Sequence, residues 1–151
     1  MNQVAVITGC SSGIGYETSI LLAKNGFKTY ATMRNVEKGD KLKDIAEKEN
    51  LDLKIIKLDV TDDYSIKSAI NEIIQETSRI DILVNNAGNN IAGTVEDLSI
   101  EDFKEQFETN FFGLVRVTKA VLPIMRNQNS GIIVNLSSIV GKMAIPLNSA
   151  Y

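Results

Sequence analysis

The chain has no histidine and no tryptophan, and a single cysteine, Cys10. Each absence removes a chemistry. Without histidine, and with one thiol, a zinc site of the usual kind has too few ligands. An intrachain disulfide is impossible, which fits a reducing compartment and predicts a cytoplasmic protein. No apolar run approaches the roughly 20 residues a membrane-spanning helix needs. The N-terminus opens directly on a strand-like run, so no signal peptide is expected. Nor is there a basic block: the 16 lysines and arginines are spread among 19 acidic residues, for a net charge of -3. That balance gives no reason to expect nucleic acid or a membrane surface as partner. Only two prolines, Pro123 and Pro146, interrupt the pattern, and no internal repeat or low-complexity segment occurs.

What is present is a regular change of period. With 151 residues, 44% of them hydrophobic, the chain is long enough for one domain with a sizeable core, spanning residues 1–151. Val4-Ala5-Val6-Ile7 is an apolar run ended by glycine, as a buried parallel strand should be. A helix-period segment comes next, with Ile14, Thr18, Leu21 and Leu22 on one side and Gly26 at its stop. Phe27 to Thr32 predicts a second strand, and Leu42, Ile45 and Ala46 mark a half-exposed helix. Leu53 to Leu58 predicts a third strand, after which Thr61 is expected to cap a helix with Asp62 and Asp63 in its first turn. The buried face of that helix is expected to be Ile66, Ala69, Ile70, Ile73 and Ile74.

Asp81 to Val84 predicts the fourth strand. Ser99 and Asp102 form a capping-box variant that opens the longest helix, 100–127, along which Phe103, Phe107, Phe111, Leu114, Thr118, Leu122 and Met125 recur at three or four residues. Gly131 to Leu136 predicts the fifth strand, followed by an irregular loop to Tyr151. Strands separated by helical connections of this length pair in parallel, with right-handed crossovers. The fold class is therefore α/β, a doubly wound parallel sheet of Rossmann type with expected strand order 3-2-1-4-5.

Chemistry concentrates where strands end. Gly9, Gly13 and Gly15 come after the first strand in the spacing G-x-x-x-G-x-G, within Thr8-Gly9-Cys10-Ser11-Ser12-Gly13-Ile14-Gly15. Gly9 permits a sharp exit from the strand, Gly13 close approach of a pyrophosphate, and Gly15 close packing of helix on sheet. The helix N-terminus would favour the phosphate charge, and Ser11 and Ser12 add hydroxyl donors. A glycine-rich turn that binds nothing is the plainer reading. At the end of the second strand, Thr32-Met33-Arg34 carries no acid to accept from a ribose. Arg34 can instead pair with a 2′-phosphate, or it is a solvated surface charge. A buried amide needs a partner, so Asn110, inside an otherwise apolar helix face, demands a reason; a structural hydrogen bond to backbone is one.

The glycine turn, Asn85-Asn86-Ala87-Gly88, and Ser138 followed thirteen residues later by Tyr151 form an ordered set. That set resembles the short-chain dehydrogenase/reductase family, and over Thr8–Gly15, Tyr30–Arg34 and Ile145–Tyr151 it is most similar to the NADP-preferring hydroxysteroid and retinol dehydrogenases. The resemblance implies hydride transfer between NADP(H) and a ketone or secondary alcohol. It places Ile14 in the cofactor turn, Met33 where an NAD-selecting acid would sit, Asp59 and Val60 at the adenine, and Asn86, Ala87 and Gly88 under the adenosine. Local sequence alone leaves Asp59 equally readable as a helix cap. The resemblance also implies Tyr151 as proton donor, Ser138 as donor to the substrate oxygen, and Asn110 as holder of a water on the proton path.

Free tyrosine titrates near 10; bringing a phenol down by roughly three units takes about 4 kcal/mol of preferential phenolate stabilisation. In the resembled family a lysine four residues past the tyrosine supplies it, together with the oxidised nicotinamide, and the sequence has no such position. The expectation is a truncated chain, the first part of roughly 250 residues, with the family's C-terminal strands absent. Two other readings remain: a non-catalytic dinucleotide-binding module, and an interaction fragment in which helix 100–127 forms the face of a homo-oligomer.

Overall fold

A computed structural model describes residues 3–151. Strand β1 (Val4–Ile7) leads to helix α1 (Gly13–Lys24), then β2 (Lys28–Met33), α2 (Asp40–Lys48), β3 (Leu53–Lys57), α3 (Asp63–Thr77) and β4 (Ile82–Asn85). Helices α4 (Ile100–Phe107) and α5 (Leu114–Gln128) precede β5 (Ile132–Asn135). All strand pairs are parallel and the order is β3-β2-β1-β4-β5, as expected from the alternation of period.

The sheet is apolar on both faces, and β1 shows why its sequence is a continuous hydrophobic run. Val4 and Val6 point to one layer, where Ile66, Ile70 and Ile73 of α3 meet Val117, Val121 and Met125 of α5. Ala5 and Ile7 point to the other, with Ile20 of α1, Leu42 of α2, Met33 and Val84. Successive side chains of one strand thus serve opposite cores. The direction of chain crossover reverses between β1 and β4, so a crevice opens at their C-terminal ends.

Three local expectations are corrected. The face α1 turns inward is Gly15, Ser19, Ile20 and Ala23, whereas Ile14 and Leu21 are exposed. Small residues face the sheet because the helix lies close against it. The cap of α3 is Asp62, whose carboxylate accepts from the N–H groups of Tyr64 and Ser65; Thr61 is instead turned toward Asp59. The long helix is not uniform. Glu108–Gly113 forms a π turn between α4 and α5, and this wider turn rotates α5 about the axis relative to α4. The apolar stripe is accordingly split: Val117, Val121 and Met125 are buried while Phe107, Phe111 and Leu122 face outward. The Ser99–Asp102 capping box is formed as expected. Strand β5 is the sheet edge, with Ile132 and Val134 exposed.

Candidate active site

The turn after β1 is held by the end of β4. Thr8 is buried, and its hydroxyl oxygen accepts the backbone N–H groups of Asn86 and Ala87, both at 3.0 Å. The Asn86 side-chain amide donates to the carbonyls of Thr8 (2.8 Å) and Gly9 (3.0 Å). Gly9 takes φ +72, and a β-carbon there would lie 2.7 Å from the α-carbon of Ala87. A β-carbon at Gly15 would stand 2.6 Å from the Gly9 carbonyl oxygen. Gly13, at φ +62, has open space around it. The Asn-Asn-Ala-Gly segment and the glycine turn are therefore one unit, made possible by missing β-carbons.

In front of this unit lies a cavity of about 600 Å³. Of the residues expected at a nucleotide, Gly9, Ser11, Ser12, Ile14, Arg34, Asp59, Val60, Asn86, Ala87 and Gly88 line it; Gly13 and Gly15 shape the turn behind it. The N-terminus of α1 has no acidic residue in its first turn and no side-chain bond from its cap Ser12, so its N–H groups are free for an anion. Arg34 is exposed at the rim and makes no ion pair among the described residues. Asp59 accepts from the N–H and hydroxyl of Thr61 through one oxygen, Oδ1, an Asx turn rather than the helix cap. Met33 reaches the cavity wall from the end of β2 while most of its side chain is buried in the core, so the wall at that point is apolar and carries no acid. These features fit a dinucleotide: a cradle without β-carbons and an uncapped helix N-terminus, with a free guanidinium at the rim.

Cys10 lies in the same turn. It is fully buried, its N–H donates to Thr32 and its thiol to Ile7, and burial pushes the thiol up to about 12.

A second cavity of about 470 Å³ adjoins the first, sharing Ile14 and Asn86–Asn89 with it. Asn110, Ser138 and Tyr151 all line it, although they come from the π turn, the end of β5 and the loop beyond. The Ser138 hydroxyl oxygen accepts from Val140 N–H at 3.2 Å, which leaves its proton free to be donated. Tyr151 is 45% exposed. Asn110 has the structural bonds foreseen as one reason for it: Nδ2 donates to the Asn89 carbonyl at 2.8 Å and Oδ1 accepts from Asn89 N–H at 2.9 Å. Gly113 packs against Val60 closely enough to exclude a β-carbon, which brings the π turn up to the wall of the first cavity.

Sequence reasoning missed two residues. Lys38, in a short 3₁₀ turn (Val36–Gly39), joins Arg34 at the first cavity; its signal was a second cation one turn after the arginine. Gln106 is 1% exposed and bonded to the loop after β4. Its amide stood in a polar stretch, so nothing in the pattern marked it as buried.

A crevice at the switch point of a doubly wound parallel sheet, with a glycine turn on one side and hydroxyls on the other, defines a Rossmann-type α/β protein. The chain matches the short chain dehydrogenase family over residues 3–151, and it belongs to that family. It is 42% identical over 151 residues to the uncharacterized oxidoreductase YusZ of Bacillus subtilis (99% of this chain, 53% of the relative). It is 40% identical over 150 residues to a 3-ketodihydrosphingosine reductase of Bacteroides thetaiotaomicron (99% and 52%). Among solved structures, an actinorhodin polyketide ketoreductase variant with NADPH superposes with TM-score 0.94 at 30% identity, covering 99% of this chain and 58% of that one. ElxO with NADP bound gives 0.89 at 32%, covering 98% and 60%. The chain spans about half the length of the curated relatives it matches.

Proposed function

We propose that the protein is an NADP(H)-dependent oxidoreductase that interconverts a ketone and a secondary alcohol. The observation that carries this reading is the meeting of Ser138, Tyr151 and Asn110 in one cavity that opens onto the glycine turn. A bound nicotinamide dinucleotide would supply the hydride chemistry. The chain's own residues bind, orient and move the proton. Gly9, Ser11, Ser12, Gly13, Ile14 and Gly15 receive the pyrophosphate at α1. Asp59 and Val60 border the adenine, and Asn86, Ala87 and Gly88 form the floor beneath the adenosine. Arg34, with Lys38 beside it, takes the 2′-phosphate, which favours NADP over NAD; the neighbours that hold NADP or NADPH support this choice. Ser138 donates to the substrate oxygen, Tyr151 gives or accepts the proton, and Asn110 holds a water on the proton's path.

Residues 1–151 form one dinucleotide-binding domain of a longer protein. Further strands of the whole protein cover the exposed apolar edge of β5. The outward face of Phe107, Phe111, Phe112 and Leu122 supports a homo-oligomer through helix 100–127. A cytoplasmic location fits the lone cysteine and the evenly spread charge; among the described residues no helix is long and apolar enough to cross a membrane.

The test is Tyr151→Phe in the full-length protein. Turnover of carbonyl substrates with NADPH should fall by at least about a hundredfold while NADPH affinity persists. Undiminished turnover removes Tyr151 from the reaction.

A further inference from the structure

Gln106 takes no part in the chemistry proposed above, yet its burial and bonding are those of a residue with a task. It lies on α4 with 1% exposure, and both amide atoms are committed to the loop after β4. Oε1 accepts from the N–H of Ile91 at 2.7 Å, and Nε2 donates to the carbonyl of Asn89 at 2.6 Å. Asn110, one turn further along the helix, donates to that same carbonyl and accepts from the N–H of Asn89. Two side chains of one helical ridge thus fix the backbone at 89 and 91.

The loop so fixed grips the segment that carries Tyr151. The Asn90 side-chain amide donates to Asn148 Oδ1 at 2.8 Å. Gly93 N–H donates to the Leu147 carbonyl at 2.9 Å, and the Gly93 carbonyl accepts from the hydroxyl of Ser149 at 2.7 Å. Leu147 sits at φ +65, where leucine is rarely found, so tertiary bonds must hold it there. Tyr151 N–H in turn donates to the Asn148 carbonyl at 3.4 Å.

We propose that Gln106 is a positioning residue for Tyr151: by fixing the Asn89–Ile91 backbone it fixes, through Asn90 and Gly93, the segment 147–151 that presents the phenol. The proposal rests on the reading of Tyr151 as proton donor. It places specificity of geometry in a residue that touches neither substrate nor cofactor.

The experiment compares full-length wild type, Gln106→Glu, Asn90→Ala and Tyr151→Phe, with kcat, NADPH affinity and amide hydrogen exchange of residues 147–151 measured across pH. In Gln106→Glu the ionised carboxylate would keep the bond from Ile91 but set an oxygen against the Asn89 carbonyl; once protonated, the new side chain donates again. In that variant kcat should fall by about tenfold or more at alkaline pH and return toward wild type as pH falls, with NADPH affinity unchanged. Exchange at 147–151 should rise and fall in step. Asn90→Ala, in an exposed loop, keeps the test available if Gln106→Glu does not fold; it should show the kcat loss and faster exchange at every pH. Wild-type kcat in these variants beside an inactive Tyr151→Phe overturns the relay alone. Undiminished turnover in Tyr151→Phe overturns the proton-donor reading instead. Unchanged exchange at 147–151, whatever the activity, overturns the coupling from Gln106 to Tyr151.

Discussion

The Asn86 side-chain amide bridges two successive carbonyls, Thr8 and Gly9, at 2.8 and 3.0 Å, while the Thr8 hydroxyl answers by accepting the N–H of Asn86 itself. This reciprocal clasp ties the C-terminal ends of β1 and β4 together at the wall of the 600 Å³ cavity. Both the shape of the turn and the floor of the cavity depend on it.

Thr8→Val keeps the shape of the side chain and removes the acceptor. The N–H groups of Asn86 and Ala87 then lose their partner in a partly buried place, and the expected cost is about 1–3 kcal/mol. Urea unfolding of the full-length protein should show it as a lower midpoint with unchanged slope, and Thr8→Ser should recover most of the loss.

Gly15→Ala adds a methyl where none fits, against the Gly9 carbonyl oxygen and the Asn86 amide. The amide has to leave its two acceptors, and overpacking of this kind costs about 1–3 kcal/mol. NADPH affinity should weaken together with stability. Retention of full affinity would show that the clasp does not set the turn.

Glu76, in the last turn of α3, meets Lys28 of β2 (2.6 Å) and Lys54 of β3 (3.1 Å) with its two oxygens, and Lys54 also reaches Glu72. The Lys28 ammonium, aided by Lys54, holds the Glu76 carboxyl at about 2 instead of its ordinary 4.5, against the opposing effect of burial. A group lowered in the folded state contributes stability above its unfolded value, and that contribution is lost as pH falls from about 4.5 toward 2. Below the pair lies the buried hydroxyl of Tyr30, pushed upward by burial and then by Glu76. Glu76→Gln should therefore be less stable than wild type at pH 7 and converge with it toward pH 2, as followed by thermal unfolding across that range.

Much of this was legible in the sequence, for identifiable reasons. The sheet order follows from the alternation of strand and helix period, and β1 declares itself as buried on both faces by an unbroken apolar run. The glycine turn, the Asn-Asn-Ala-Gly segment and the Ser138–Tyr151 interval mark a candidate site through their resemblance to the family's motifs, and the structure brings them to two adjoining cavities. What escaped depended on contacts rather than period. The π turn at Glu108–Gly113 has no hydrophobic signature of its own, and it moved the inward face to Val117 and Val121. The inward face of α1 is made of glycine, serine and alanine beside one isoleucine, so a search for large apolar side chains chose the wrong side. Gln106 is polar and buried, a combination that only its partners on the loop explain.

Calorimetric titration of the full-length protein with NADPH and NADH, repeated on Arg34→Ala, tests the central claim most directly. Wild type should take up NADPH, with a loss of about tenfold or more in Arg34→Ala and little change for NADH. Equal losses for both nucleotides would contradict the assignment of Arg34 to the 2′-phosphate, and no uptake of either would contradict the function proposed for the crevice altogether.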